Sequence, residues 1–291
     1  MSNYTSIVTQ LSQATNNLLY GTFYHARQLN THYKGTLIYF HGGGLIFGDR
    51  DDLPSDYIDL ITQAGYGILA VDYLLAPESK LDQIITSTEE ALDWFFDAGQ
   101  EALDLPQLDY FLMGRSAGGF LAIYHAVRLA ETDHAPQGLI SFYGYFNLNE
   151  AAFNVPSRHF LQYPKVTQTA VRALVKDRAI VSGPMDERYP VYMAARQEGN
   201  WKDYLLADGF TLKDYSLTNA DLKSLPPTFI TAATNDPDVP VRQSKLLHKA
   251  APESVLHLVE SDEHDFDRTQ VEALGLPMYE KLVEWLDGVR D

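Results

Sequence analysis

Ser116 stands in Phe-Leu-Met-Gly-Arg-Ser-Ala-Gly-Gly-Phe-Leu-Ala, residues 111–122. The stretch begins as an apolar run of strand character, passes through Gly-x-Ser-x-Gly and leaves as a small, apolar helix start. A serine hydroxyl is a weak nucleophile at neutral pH. It becomes a strong one when a base takes its proton and a third group orients that base. On a sharp strand-to-helix turn the backbone is strained and the hydroxyl is pushed out of the sheet edge. The flanking residues must be small there, because strand and helix pass close together. The helix that follows aims its first N–H groups at the same spot, where negative charge is favoured. The chemistry in view is acyl transfer to a serine oxygen. Gly-x-Ser-x-Gly is common by itself, and its weight here comes from the readable strand before it and helix after it.

In a serine site built on such a turn the acid and then the base follow the serine in the chain, each in a loop just after a strand. Of the nine histidines, His25 and His257 fall within expected strands and His125 within the helix after Ser116. His32, His134, His159 and His248 have polar, surface-like contexts. His264 follows both the serine and a credible acid loop, between a strand and a helix, and is the expected base. For the acid, Asp236 and Asp238 compete within Asp-Pro-Asp-Val-Pro. Asp236 is favoured, because it comes three residues after the strand ends and the following proline holds it extended. Asp262, Glu263, Asp265 and Asp267 read as solvated loop carboxylates, with Asp265 in reach of a substrate.

A third element is His41-Gly42-Gly43-Gly44, directly after an apolar strand. Three glycines cost conformational entropy, so a backbone that uses them has a reason. With Ser116 downstream, the loop reads as one whose N–H groups approach a developing oxyanion. His41 reads as a brace for that loop, since the base comes last in the chain.

These residues need a scaffold that brings several strand ends to one edge. Apolar strands are expected at Thr36–Phe40, Gly67–Tyr73, Leu108–Met113, Gly138–Tyr143, Pro227–Ala233 and Val255–Glu260, and an edge strand at 18–28. Between them lie an amphipathic helix at 81–98, a helix at 117–130, another near 241–250, and a last one opening at Pro277. Residues 4–17 read as a short helix or an arm. The alternation predicts an α/β fold with a doubly wound, mostly parallel sheet. It breaks between Gly144 and Leu225, an aromatic-rich stretch too long for a loop. The expected organisation is a core of residues 1–143 and 226–291 with a helical cap insertion at 144–225 placed over the serine.

Composition narrows the function classes. A 291-residue chain suits one α/β domain with an insertion, or two small domains. Its formal net charge of -17 disfavours binding to nucleic acid or anionic membranes. The absence of cysteine excludes disulfides, thiolate metal sites and cysteine nucleophiles. No apolar run reaches membrane-spanning length, and Met1–Gln13 lacks a signal pattern, so a cytoplasmic location is expected. Homo-oligomer formation is left open.

As a set, the motifs resemble the hormone-sensitive-lipase-like carboxylesterase group of α/β-hydrolases. The matching residues are His-Gly-Gly-Gly at 41–44, Asp-Tyr-x-Leu-Ala-Pro-Glu at 72–78, Gly-x-Ser-Ala-Gly-Gly at 114–119, Asp-Pro at 236–237 and His-x-Phe at 264–266. The resemblance implies the α/β-hydrolase fold, an oxyanion hole from the backbone N–H groups of Gly43, Gly44 and Ala117, and a structural turn at 72–78. It implies a serine carboxylesterase using Ser116, His264 and Asp236 on a small-molecule ester, without metal or organic cofactor. The aromatic cap points to short, acetyl-like acyl groups. A small serine peptidase of the acylaminoacyl or prolyl-peptidase type is the alternative. A binding protein that had lost catalysis is disfavoured by the complete set of reactive residues. The chain departs from the family pattern at Arg115, where an acid is usual, and at Leu74, where an arginine is usual. A coupled exchange between those two positions requires that they lie together.

Overall fold

The structure, a computed structural model, describes residues 4–14, 17–27 and 33–290. Among the described residues eight strands form one sheet: β1 (Ser6–Ala14), β2 (Asn17–Tyr24), β3 (Gly35–Phe40), β4 (Tyr66–Val71), β5 (Tyr110–Arg115), β6 (Gly138–Phe142), β7 (Thr228–Ala233) and β8 (Ser254–Val259). Their order is β1-β2-β4-β3-β5-β6-β7-β8. The β1–β2 and β2–β4 pairs are antiparallel, and every pair from β4 across to β8 is parallel. Every residue of β3, β4, β5, β6 and β7 is buried. That is why these strands read as unbroken apolar runs: both faces are covered.

Two corrections fall at the amino-terminal end. Residues 6–14 are a strand, and they cover the outer side of β2, so β2 is an interior strand and β1 is the edge. The β1 pattern hides this, because Leu11 is 6% exposed while Ile7 and Val8 are 40% and 61% exposed. An edge strand with little packed on it carries no clean alternation. β2 ends at Tyr24, leaving His25 just beyond it, and the expected strand residue 28 and His32 lie outside the described residues.

Alternate residues of the inner strands feed two cores, one on each face. One holds Ile38, Phe40, Leu69, Val71 and Leu112, and the other Leu37, Tyr39, Ile68, Phe111 and Met113. Helix α1 (Ser55–Gln63) buries Tyr57, Ile58 and Ile61 in the second core. Helix α2 (Leu81–Trp94) buries Leu81, Ile84, Ile85, Ala91 and Leu92 in the first, as its periodicity requires. Helix α3 (Ala117–Leu129) follows β5 directly. Between β6 and β7 come α4 (Gln168–Leu174), α5 (Met185–Glu198) and α6 (Trp201–Leu205), with short 3-10 turns. Helices α7 (Arg242–Ala250), α8 (Phe266–Thr269) and α9 (Leu276–Arg290) complete the chain. Among the described residues no helix is long and apolar enough to cross a membrane.

The segment between β6 and β7 is tied to the 72–78 turn. Arg188 of α5 forks onto Glu78 with two 2.7 Å bonds and also donates to the Ala76 carbonyl at 2.9 Å. Asp72 pairs with Arg50 at 2.7 Å. The turn is thus held by two separate ion pairs, at either end of its motif.

Candidate active site

Ser116 lies between the last residue of β5 and the first of α3, with φ 53° and ψ -115°. A non-glycine residue in that region is strained and persists only where its surroundings hold it. Here its N–H donates to the Phe142 carbonyl at 2.9 Å and its carbonyl accepts from Phe120 at 3.1 Å. The glycines of the motif answer to close approach. A Cβ at Gly114 would lie 2.0 Å from the Gly118 carbonyl oxygen, and one at Gly118 2.0 Å from that of Phe40. No side chain fits at either position.

The structure brings Ser116, His264 and Asp236 together. Asp236 accepts from His264 Nδ1 at 2.6 Å, and His264 Nε2 lies 2.8 Å from Ser116 Oγ. A carboxylate can only accept, so Nδ1 carries a proton, and in the neutral ring Nε2 presents its lone pair to the serine hydroxyl. The other oxygen of Asp236 accepts the N–H groups of Asp238 and Val239 at 2.9 and 2.8 Å. Burial would lower the His264 pKa. The charge and hydrogen bond of Asp236, with Asp238 and Asp265 adding, override it and push the value up to about 9.

Asp238, the competing acid, faces the other way. It accepts from Tyr192 Oη at 2.7 Å and from Arg196 Nε at 3.0 Å, both on α5. One short loop therefore serves His264 through Asp236 and the β6–β7 segment through Asp238.

Gly43 and Gly44 have φ of 109° and 60°, a region open to glycine without strain. A Cβ on Gly43 would lie 1.9 Å from the Phe47 carbonyl oxygen, and one on Gly44 2.3 Å from the Tyr192 ring. Trp201 Nε1 donates to the Gly44 carbonyl at 2.9 Å. Among the described residues the N–H groups of Gly43, Gly44 and Ala117 donate to no protein acceptor. His41 is fully buried and stacked on Tyr73 with ring centroids 4.1 Å apart. Its Nδ1 donates to the Gly42 carbonyl at 2.7 Å, so it fastens the glycine loop and is remote in role from Ser116. Burial lowers its pKa, which keeps the ring neutral.

These groups open on a cavity of about 470 Å³ walled by Phe47, Phe160, Tyr163, Tyr189 and Tyr192. His159 lines it as well, although its polar context read as surface. It arrives there because the β6–β7 segment folds back over the strand ends, which no local pattern around His159 reports. Asp262, Glu263 and Asp265 line the cavity, but Asp267 is fully buried and is a correction to its reading as a solvated carboxylate. Arg115 is 2% exposed and donates to Asp267 Oδ1 at 3.1 Å and to Tyr143 Oη at 2.9 Å. Leu74 belongs to the core on the opposite face of the sheet from Tyr39 and Tyr143, the neighbours of Arg115. The exchanges at 74 and 115 are therefore uncoupled. Among the described residues no cluster of three or more His, Asp or Glu side chains is placed to hold a metal ion.

A family model described as alpha/beta hydrolase fold matches residues 37–268. A solved structure of an alpha/beta hydrolase superfamily protein from Enterococcus faecalis superposes with a TM-score of 0.84 at 30% identity, covering 97% of this chain and 98% of that one. A protein described as of unknown function from Staphylococcus aureus Mu50 superposes with 0.85 at 30% identity, covering 97% and 99%. Among curated proteins, an acetyl esterase of Salmonella enteritidis is 27% identical over 74% of this chain and 59% of its own length. A 3-O-acetylpapaveroxine carboxylesterase of Papaver somniferum is 32% identical over 41% of this chain and 44% of its own. The chain thus spans about half the length of the curated relatives it matches. It belongs to the α/β-hydrolase-fold family.

Proposed function

We propose that this α/β hydrolase is a serine carboxylesterase that cleaves short-chain, acetyl-like esters through an acyl-enzyme. The observation that carries the reading is the continuous relay from Ser116 Oγ through both nitrogens of His264 to Asp236. Ser116 attacks the ester carbonyl as His264 Nε2 takes its proton. The tetrahedral oxyanion is met by the free N–H groups of Gly43, Gly44 and Ala117, reinforced by the first turn of α3. His264, now a cation held by Asp236, gives the proton to the leaving alcohol. Water then repeats the sequence on the acyl-serine.

The segment at 144–225 serves as a cap over this centre. Its Tyr192 packs against Gly44 and its Trp201 holds the Gly44 carbonyl, so it shapes the oxyanion loop as well as the cavity. The aromatic walls favour a small acyl group, and the acetyl groups in the names of the curated relatives agree with that choice.

Hydrolysis of p-nitrophenyl acetate, butyrate and octanoate by wild type and Ser116→Ala tests the proposal. Expected are turnover falling from acetate to octanoate and at least about a 1,000-fold loss in the variant. Wild type that cleaves matched anilides as fast as esters would replace the esterase reading with the peptidase one.

A further inference from the structure

We infer that Arg115 and Tyr143 form a buried clamp that positions the His264 base, an inference that rests on Ser116, His264 and Asp236 being the catalytic groups. Arg115 is the residue immediately before the serine; it is buried, and with Tyr143 it lines the cavity on which Ser116 and His264 open. Its Nε donates to Tyr143 Oη at 2.9 Å and its Nη2 to Asp267 Oδ1 at 3.1 Å. Its Nη1 reaches Asp52 Oδ2 at 3.5 Å. The Tyr143 hydroxyl in turn donates to Asp267 Oδ1 at 2.5 Å. Asp52 is also held by Arg268 at 2.9 Å and by Tyr39 Oη at 2.6 Å.

Two guanidiniums and two carboxylates balance here, which is how an arginine survives burial. The network joins the β3–α1 connection, the residue before Ser116, the residue after β6 and the turn that follows His264. A buried ionic network is seldom the most stabilising filling of such a space; well-packed apolar side chains commonly do as well or better. What it supplies is fixed geometry between the serine turn and the histidine loop.

Tyr143 is where that geometry meets the chemistry. Its ring centroid is 4.7 Å from that of His264, with the planes at 58°. Its φ of 40° is strained for a non-glycine residue, and its N–H is tied to the Thr231 carbonyl at 2.6 Å. The strained backbone and the anchored hydroxyl together aim the ring at the imidazole. An aromatic face attracts a cation, so the ring favours His264 in the protonated state it enters as Ser116 attacks. Asp236, Asp238 and Asp265 act on His264 in the same direction as the ring, while the Arg115 cation lies behind it, on the Tyr143 hydroxyl.

The test is the second-order rate of Ser116 labelling by a fluorophosphonate against pH, with kcat and KM for p-nitrophenyl acetate per labelled site and the Tm of each variant. Tyr143→Leu is expected to lower labelling and kcat about tenfold with KM within about twofold, and to move the acidic limb down by about half a pH unit. Tyr143→Phe keeps the ring and so keeps the limb, but loses about threefold in kcat with its tether to Arg115 and Asp267. Arg115→Met should lose more activity per labelled site than Arg115→Lys, which keeps a charge opposite Asp267. Variants that lower Tm while labelling rate, kcat per site and the limb stay at wild-type values overturn the clamp. Should Tyr143→Leu fail to fold, wild-type kcat per site in both Tyr143→Phe and Arg115→Met overturns it equally. A wild type that labels but cleaves no ester defeats the esterase reading and leaves the labelling data to decide the clamp. A wild type that does not label defeats both.

Discussion

Replacing Asp236 by asparagine exchanges one carboxylate oxygen for an NH2 group and should silence the site without disturbing the fold. One oxygen of Asp236 accepts two backbone N–H groups, from Asp238 and Val239, and the other accepts His264 Nδ1–H. An asparagine can meet the two N–H donors only with its carbonyl oxygen. Its NH2 group then faces the imidazole. The reverse orientation would forfeit two hydrogen bonds, roughly 2 kcal/mol at about 1 kcal/mol each, or a population ratio of about 30. The amide donor draws the lone pair of Nδ1, so the proton moves to Nε2 and points at Ser116. In that tautomer His264 cannot accept the serine proton. The comparable change in a serine protease triad costs about 10,000-fold in kcat. The expectation for Asp236→Asn is a loss of about 1,000- to 10,000-fold in kcat for p-nitrophenyl acetate, with KM within about threefold and Tm within a few degrees. Steady-state kinetics and a thermal melt measure all three. Retention of more than about a tenth of wild-type kcat would refute the tautomer argument.

The same contact sets the pH response. Asp236 raises the His264 pKa above its usual 6.5, and the base works only when neutral, so kcat/KM should rise with pH through a limb that lies above 6.5; a limb below that value would mean burial outweighs the carboxylate. Gly44→Ala sets a methyl 2.3 Å from the Tyr192 ring, which Asp238 holds in place, and should cost about 100-fold in kcat by displacing an oxyanion donor; near-normal kinetics would remove Gly44 from that role. Asp238→Ala strands Arg196, whose side chain is 2% exposed, and should destabilise the protein by about 3–5 kcal/mol in urea unfolding. A change under about 1 kcal/mol would show that the pair holds nothing.

The central strands and the residues that meet at the candidate site are legible in the chain, and for related reasons. Strands covered on both faces must be continuously apolar, so β3, β4, β5, β6 and β7 announce themselves. The parallel sheet then delivers the ends of β5, β7 and β8 to one edge; of the three histidines that follow Asp236, His248 lies in a helix and His257 in a strand, which leaves His264 in the loop between a strand and a helix. Asp236 and Asp238 were harder to part, because both follow the same strand; only the direction each carboxylate faces distinguishes the histidine's partner from the anchor of Tyr192 and Arg196. What stayed hidden depends on contacts between distant segments. β1 pairs along one side at the sheet's rim and keeps no strict period. His159 reaches the cavity through the fold of a segment with no repeating pattern. Asp267 is buried because Arg115, 152 positions away, meets it. The arginine before the serine was a visible oddity, but its partners could be found only in three dimensions.

Every step of the proposed mechanism requires Ser116 to carry the acyl group. Rapid quench of p-nitrophenyl acetate turnover at low pH, followed by intact-mass and peptide analysis, tests it most directly. An acetyl adduct on the peptide containing Ser116, forming and decaying fast enough to sustain turnover and absent in Ser116→Ala, is the result the account predicts. Steady turnover with no adduct, or an adduct on another residue that persists in Ser116→Ala, would contradict it.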